Sequence, residues 1–190
     1  MSDILGLKRG IVELLPHNPK WAKLFAQEKQ LLKATFGDVI IEIEHVGSTS
    51  IPGIPAKPIL DMNIGVGSLE AALEMKDKFV ALGYEHHPFV PEESFQGLRE
   101  QELYVRGPEE KRTHFAHITV YGSDFWARSI LFRDYPLIHA DRAREYADLK
   151  TALAEAHAAD RIAYTKAKTQ FVLETLELAR KESDAGEPGM

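Results

Sequence analysis

The sequence predicts an α+β fold: a mixed sheet carrying helices, followed by a helical C-terminal part. Three observations predict it. β-Branched runs at 39–46 and 59–66 flank a loop dense in turn formers. Shorter strand patterns recur at 84–88, 102–106 and 115–121. From Ser123 onward the pattern is helical. The division this implies is an α+β core at 1–122, a helical subdomain packed on it at 123–182, and a disordered tail, SDAGEPGM, at 183–190.

Each element has a local reason. Residues 10–16, GIVELLP, read as a short strand. Asn18-Pro19 reads as a helix start, with Asn as cap and Pro in the first helical position. Trp21, Leu24, Phe25, Leu31, Leu32 and Phe36 then share one helical face, and Gly37 ends the helix. In the strand 39–46, Glu42 and Glu44 share a side, because strand side chains alternate. In the strand 59–66, Leu60, Met62, Ile64 and Val66 point into a core, and Asp61 and Asn63 point away from it. A helix follows at 69–82, capped by Ser68 and stopped by Gly83. Residues 89–101 are irregular and polar, and GPEEKR at 107–112 joins two strands as a hairpin loop. The C-terminal helices are expected at 123–135, 141–158 and 160–181, parted near Pro136 and Ala159.

Composition excludes several classes. The 190 residues contain no cysteine, so disulfides, Cys-based zinc sites and a cysteine nucleophile are out. No apolar stretch approaches 18 residues, and Lys8, Arg9 and Glu13 interrupt the N-terminus, so no membrane span or signal peptide is expected and the default compartment is the cytoplasm. The net charge of −6 argues against extended nucleic-acid binding. A local cluster, Arg99, Arg106, Lys111 and Arg112, is either a phosphate-facing patch or a set of solvated loop charges.

The segment that carries chemistry is Glu44-His45-Val46-Gly47-Ser48, followed by Lys57-Pro58-Ile59-Leu60-Asp61. Glycine lets a backbone approach a ligand closely, and the amides and hydroxyl of a Gly-Ser turn can bind phosphate oxygens. Asp61, on the face away from the core, can hold a Mg²⁺ ion that bridges to a nucleotide's phosphates. Lys57, at the end of the loop, can meet a phosphate as a point charge. Turn plus carboxylate is the least apparatus for nucleotidyl transfer, which is mostly positioning and charge neutralisation.

Four strings then carry a resemblance: HVGSTSIPGIPAKPILDM at 45–62, THFAHITVYG at 113–122, LFRDYP at 131–136 and YTKAKTQFV at 164–172. Together they resemble the GrpB family, over most of the chain and in the right order. That resemblance implies a nucleotidyltransferase-like mixed sheet with flanking helices. It also hints at a nucleotide or coenzyme A context, since a related domain occurs fused to dephospho-coenzyme A kinases. An active nucleotidyltransferase pattern has two acids on the second strand, one residue apart; here the second position is Asn63. Glu44 or Glu42, from the neighbouring strand, or His117, on the strand that should carry the third acid, could complete a metal site. His114 would join only through a bulge or strand end. Histidine ligands would shift the preferred metal from Mg²⁺ toward Mn²⁺ or Zn²⁺, and a histidine could alternatively serve as a general base. Arg133 is expected either to point back at the site or to sit in the helix while Asp134 tethers it; adjacent helical residues diverge, so the two need not bridge. Lys168 either reaches a phosphate or pairs within its helix.

Three functions follow. One is a metal-dependent nucleotidyltransferase using a nucleoside triphosphate, with Ser48 and Lys57 on phosphate and Asp61 with Glu44 or His117 on metal. A second is a catalytically inactive module of the same fold that holds a nucleotide or a coenzyme A-like ligand. A third is a structural partner acting through its C-terminal helices.

Overall fold

The chain, as a computed structural model, is described for residues 4–88 and 100–186. Its elements in order are α1 (Lys20–Phe36), a 3₁₀ turn (Gly37–Val39), β1 (Glu42–Val46), a second 3₁₀ turn (Ser48–Ser50), β2 (Leu60–Val66), α2 (Leu69–Glu74), α3 (Lys76–Ala81), β3 (Tyr84–His87), β4 (Gln101–Arg106), β5 (His114–Val120), α4 (Asp124–Ile138), α5 (Ala140–Ala156), α6 (Arg161–Ala167) and α7 (Thr169–Gly186). The five strands form one mixed sheet in the order β1-β2-β5-β4-β3. Only the central β2–β5 pair is parallel; the others are antiparallel.

Alternation along the strands gives the sheet two faces with different tasks. One carries Ile43, Met62, Ile64, Val66, Ala116 and Ile118, all buried, and packs on Leu32 and Phe36 of α1 and on Ala72, Met75 and Phe79 of α2 and α3. Phe79 stacks on Tyr104 at 4.5 Å and meets Phe36 in a tilted contact at 4.6 Å, contacts that add about 0.5–1.5 kcal/mol each beyond area burial. The other face carries Glu44, Asp61, Asn63, His117 and Thr119, in register across β1, β2 and β5, and α4 crosses it. A further cluster ties the 47–58 loop to the C-terminal helices: Ile51, Ile54 and Tyr146 pack with Phe132, Ala147 and Phe171.

Several expectations change. The strand expected at 10–16 is an irregular strap that bridges Ala56 at Leu15, with both backbone bonds at 2.9 Å, and so braces the 47–58 loop. The strand 39–46 begins only at Glu42, because Gly37–Val39 forms a 3₁₀ turn. Asn18 does cap α1, its Oδ1 accepting from the Lys20 N–H at 3.0 Å. Ser68 caps α2 likewise, accepting from Ala71. The single helix expected at 69–82 is two, parted at Met75, whose N–H turns to the Leu73 carbonyl. Pro136 does not end α4: it forgoes one backbone bond inside the last turn, and the break falls at His139. The helix expected at 160–181 is parted at Lys168, whose N–H reaches back only to residues 165 and 166. The tail boundary also shifts, since α7 runs to Gly186; residues 187–190 lie outside the description, as does the irregular stretch from 89 to 99. Arg106 and Arg112 are not a phosphate patch. Arg106 pairs with Glu28 through both guanidinium NH₂ groups (2.7 and 2.8 Å), and Arg112 donates to the Gly107 carbonyl and to Glu85; Arg99 lies outside the described residues.

Among the described residues no helix is long and apolar enough to cross a membrane.

Candidate anion-binding site

Gly47 turns the chain from β1 into the 3₁₀ turn with φ 66° and ψ −175°, a conformation that side chains disfavour. A Cβ placed there would lie 2.6 Å from Asp61 Oδ2 and 2.9 Å from Asp61 Cβ. The turn is thus laid directly on the Asp61 carboxyl, and only glycine permits it. Ser50 fixes the turn by donating its hydroxyl to the Gly47 carbonyl at 2.6 Å. Beneath it, His45 is buried, stacks on Phe25 at 4.6 Å and bonds Thr49 Oγ1 at 3.0 Å. Burial holds the His45 pKa down at about 4, so the ring is neutral at neutral pH.

Asp61 faces His117, with Oδ1 3.5 Å from Nε2. The other ring nitrogen, Nδ1, meets Gln101 Oε1 at 2.5 Å. These two contacts, one at each ring nitrogen, fix the orientation of the His117 ring between Gln101 and Asp61.

The remaining predicted residues divide. Ser48 lies beside the hydroxyl of Tyr146, whose pKa burial pushes up to about 12. Lys57 stands over the ring of Tyr164, Nζ 5.7 Å from its centroid. Arg133 reaches back to β1, but not to serve a ligand: it donates to Glu44 Oε2 at 2.5 Å and to the His45 carbonyl at 3.0 Å, and its Nε donates to Asp134 at 2.6 Å. Arg133 and Asp134, which as helix neighbours need not bridge, do so here, and Glu44 is occupied by a guanidinium rather than left for a metal. His114 is not brought here at all. It projects from the opposite face of β5, buried, against Arg106 at 2.9 Å and 3.9 Å from Glu28, and burial together with Arg106 holds its pKa down at about 3. Asn63 is fully buried and uses both ends of its amide: Nδ2 donates to Ser129 of α4 at 2.5 Å, and Oδ1 accepts from Thr119 at 3.0 Å.

These placements test the fit of a divalent metal. Asp61 and His117 are close enough to share one ion. Glu44, Asn63 and His114 are each committed elsewhere, so the donor set for a two-ion centre does not fit. No three acid or histidine side chains converge as a metal site among the described residues.

What converges instead is positive charge. Lys168, at the break between α6 and α7, stands over the same Tyr164 ring as Lys57, Nζ 4.3 Å from the centroid. Lys150 of α5 is buried to 1% exposure, donates to the Pro55 carbonyl and lies 4.6 Å over the Tyr146 ring. Burial depresses all three lysines, Lys150 and Lys168 to about 7, and each of Lys57 and Lys168 feels the Asp61 charge. Lys57 and Lys168 are half-buried, and among the described residues neither ammonium has a hydrogen-bond or ion-pair partner. Lys168 was already a phosphate candidate from the sequence, and the sequence held a signal for Lys150 too. Lys150 falls in the apolar stripe Ala143, Tyr146, Ala147, Ala154 of α5, and Lys168 in the stripe Tyr164, Phe171, Thr175. A cavity of about 570 Å³, walled by Leu14, Pro16, His17, Pro55 and Thr151 among others, is lined by none of the site's charged residues.

A mixed five-stranded sheet with a Gly-Ser turn seated on a strand carboxylate, under a cap of helices, defines a class of small α+β proteins with a polar site at the strand ends. Residues 11–178 match the model of the GrpB protein family, and the chain belongs to that family. It is 38% identical over 170 residues to the UPF0157 protein YqkA of Bacillus subtilis, an alignment that covers 90% of this chain and 48% of that protein; the chain thus spans about half of that relative. It is 36% identical over 177 residues to the glutamate-rich protein GrpB of Alkalihalophilus pseudofirmus, covering 91% of this chain and 98% of that one. The crystal structure of the conserved protein GrpB from Enterococcus faecalis superposes with a TM-score of 0.78 at 31% identity, over 90% of this chain and 99% of that one. A shorter stretch of 81 residues, 41% of this chain, is 37% identical to part of a dephospho-CoA kinase of Mycolicibacterium paratuberculosis, 20% of that protein.

Proposed function

We propose that this GrpB family protein binds a phosphate-bearing small molecule, a nucleotide or a coenzyme A-like compound, at the Gly47–Ser48 turn on a nucleotidyltransferase-like frame. The observation that carries this reading is the pair of half-buried ammonium groups, Lys57 and Lys168, which stand over one tyrosine ring in the field of Asp61 with no hydrogen-bond or ion-pair partner among the described residues. Buried cations in excess of their counter-charge are costly, and two lysines sharing the one carboxylate of Asp61 suit an anion supplied from outside. Ser48 and the turn amides offer donors to the same anion. The partial likeness to dephospho-CoA kinases favours a ligand of nucleotide or coenzyme A type.

Calorimetric titration with ATP and with coenzyme A, each with Mg²⁺ and with a chelator, tests it. Binding of at least one, weakened about tenfold or more in Ser48→Ala and Lys57→Met, is the expected result. Absence of binding under all four conditions refutes the reading.

The second reading is a transferase, and one observation favours it: Asp61 and His117 face each other at 3.5 Å beside the anion site. Asp61 and His117 would hold a single divalent ion, which would supply a positive charge to the phosphate oxygens, and His117 could otherwise accept a proton from an acceptor hydroxyl. Incubation of the protein with nucleoside triphosphates and Mn²⁺ should then release pyrophosphate, and Asp61→Asn should stop it. Binding with no product from any of the four triphosphates leaves the binding module as the function.

A further inference from the structure

We propose that the anion at this turn is a diphosphate or triphosphate chain taken without a divalent cation, its charge met by Lys57, Lys150 and Lys168; this rests on the phosphate-binding reading above.

Charge placement carries the inference. The acid a metal would need beside Asp61 is gone: Asn63 spends its amide on Ser129 and Thr119, and Glu44 is neutralised by Arg133. Lys57 and Lys168 lie in the field of the single carboxylate of Asp61, and buried Lys150 lies in the field of those two lysines, so three cations stand against one acid. Neutralising developing and resting phosphate charge is the task that Mg²⁺ performs in phosphoryl-transfer sites, and lysine can perform it as a point charge. The cations also fall into two groups. Lys150 lies over Tyr146, whose hydroxyl is beside Ser48; Lys57 and Lys168 share the Tyr164 ring. Two donor groups, one at the turn and one at Tyr164, suit two linked phosphates rather than one.

The lysines are surrounded as follows: Lys57 ends the loop before β2; Asp61 is on β2; Tyr146 and Lys150 are on α5; Arg161 and Tyr164 are on α6; Lys168 is at its end. Burial and mutual repulsion lower the pKa of Lys150 and Lys168 to about 7, far below that of a free lysine, so without ligand each gives up its proton more readily as pH rises. An arriving polyanion raises those values, so binding takes up protons, and affinity falls as pH rises above 7.

The test uses inorganic pyrophosphate, tripolyphosphate and orthophosphate as probes in calorimetry with the whole chain. In EDTA at pH 8, pyrophosphate should bind at least tenfold more tightly than orthophosphate, and Mg²⁺ should not strengthen it. The observed heat should vary with buffer ionisation enthalpy in the sense of proton uptake. Lys57→Met and Lys168→Met, each checked for folding by thermal unfolding, should lose tenfold or more, with Lys168→Gln as the second variant if Met fails to fold. Binding of pyrophosphate or ATP only with Mg²⁺ or Mn²⁺ overturns the inference and leaves the phosphate site standing. Equal affinity for orthophosphate and pyrophosphate, or no proton uptake, also overturns it. No binding of any phosphate compound in any condition overturns both.

Discussion

At the scale of single residues, the site is a set of side chains whose partners decide their use. Lys168 is held half-buried over the Tyr164 ring, with no hydrogen-bond or ion-pair partner among the described residues, and burial depresses its pKa to about 7 from 10.5. At or below pH 7 the folded protein carries the cost of a desolvated charge that the unfolded chain does not. Above pH 7 the folded lysine is neutral while the unfolded one still binds a proton, so the cost is progressively relieved up to about pH 10.5. Lys168→Met should therefore stabilise the ligand-free protein at pH 7 by about 1–2 kcal/mol, or roughly 2–8 °C in Tm, while weakening anion binding. A Tm below wild type in calorimetric scans would show that the ammonium has a stabilising partner after all. Asn63 makes the opposite case. Its amide donates at one end and accepts at the other, a duty a carboxylate cannot perform. Asn63→Asp, the change that would restore the second acid, should cost about 1–3 kcal/mol, read from the urea midpoint at unchanged m-value. A stabilised or unaffected variant would mean that the position tolerates an acid.

At the scale of elements, α4 is the clamp on the site. It crosses the polar face of the sheet and is bonded to it at two points, Ser129 to Asn63 on β2 and Arg133 to Glu44 and the His45 carbonyl on β1. Arg133→Ala leaves Glu44, 29% exposed, facing the helix without its cation. The expected loss is about 2–3 kcal/mol, and Arg133→Lys should restore only part of it, because one ammonium cannot serve Glu44, Asp134 and a carbonyl in three directions. Equal stability of the lysine and arginine proteins, by chemical denaturation, would contradict that role.

The elements also show what the sequence made legible. The β1–turn–β2 unit, the caps at Asn18 and Ser68, and the sidedness of β2 were readable because alternation, capping and turn chemistry are local. The strap at 10–16 was not, since an extended chain becomes a strand only if a long neighbour pairs with it, and here one bridge at Leu15 does. The sequence named Ser48, Lys57 and Asp61, which one loop delivers. It also named Arg133, but not its partner, which is contributed by β1, 89 residues away. Lys168 was named with two alternatives, a phosphate or a partner within its helix; Lys150 was visible only as a polar interruption of an apolar stripe, and what that stripe faces is settled by packing.

At the scale of the whole molecule, two buried histidines on separate elements set the acid limit of the fold. Burial lowers the His45 pKa to about 4, and burial with Arg106 lowers that of His114 to about 3, from 6.5. Between pH 6.5 and 4 the unfolded chain binds protons at both positions and the folded chain does not, so stability rises with pH across that window and is lost as pH falls. Each proton contributes a slope of at most about 1.4 kcal/mol per pH unit. Urea unfolding at pH 7, 6, 5 and 4 should therefore show a midpoint that falls steadily below pH 6.5. His114→Asn should flatten the curve, and a midpoint flat to pH 5 would contradict the burial of both rings.

The central claim is that the Gly47–Ser48 turn and the lysines around Tyr164 form one anion site. The most direct measurement is a crystal structure of the protein soaked with ADP or coenzyme A in the presence of a chelator. The account places phosphate density within hydrogen-bond reach of Ser48, Lys57 and Lys168. Ligand density confined to the cavity walled by Leu14, His17 and Pro55, with Lys57 and Lys168 untouched, would contradict it.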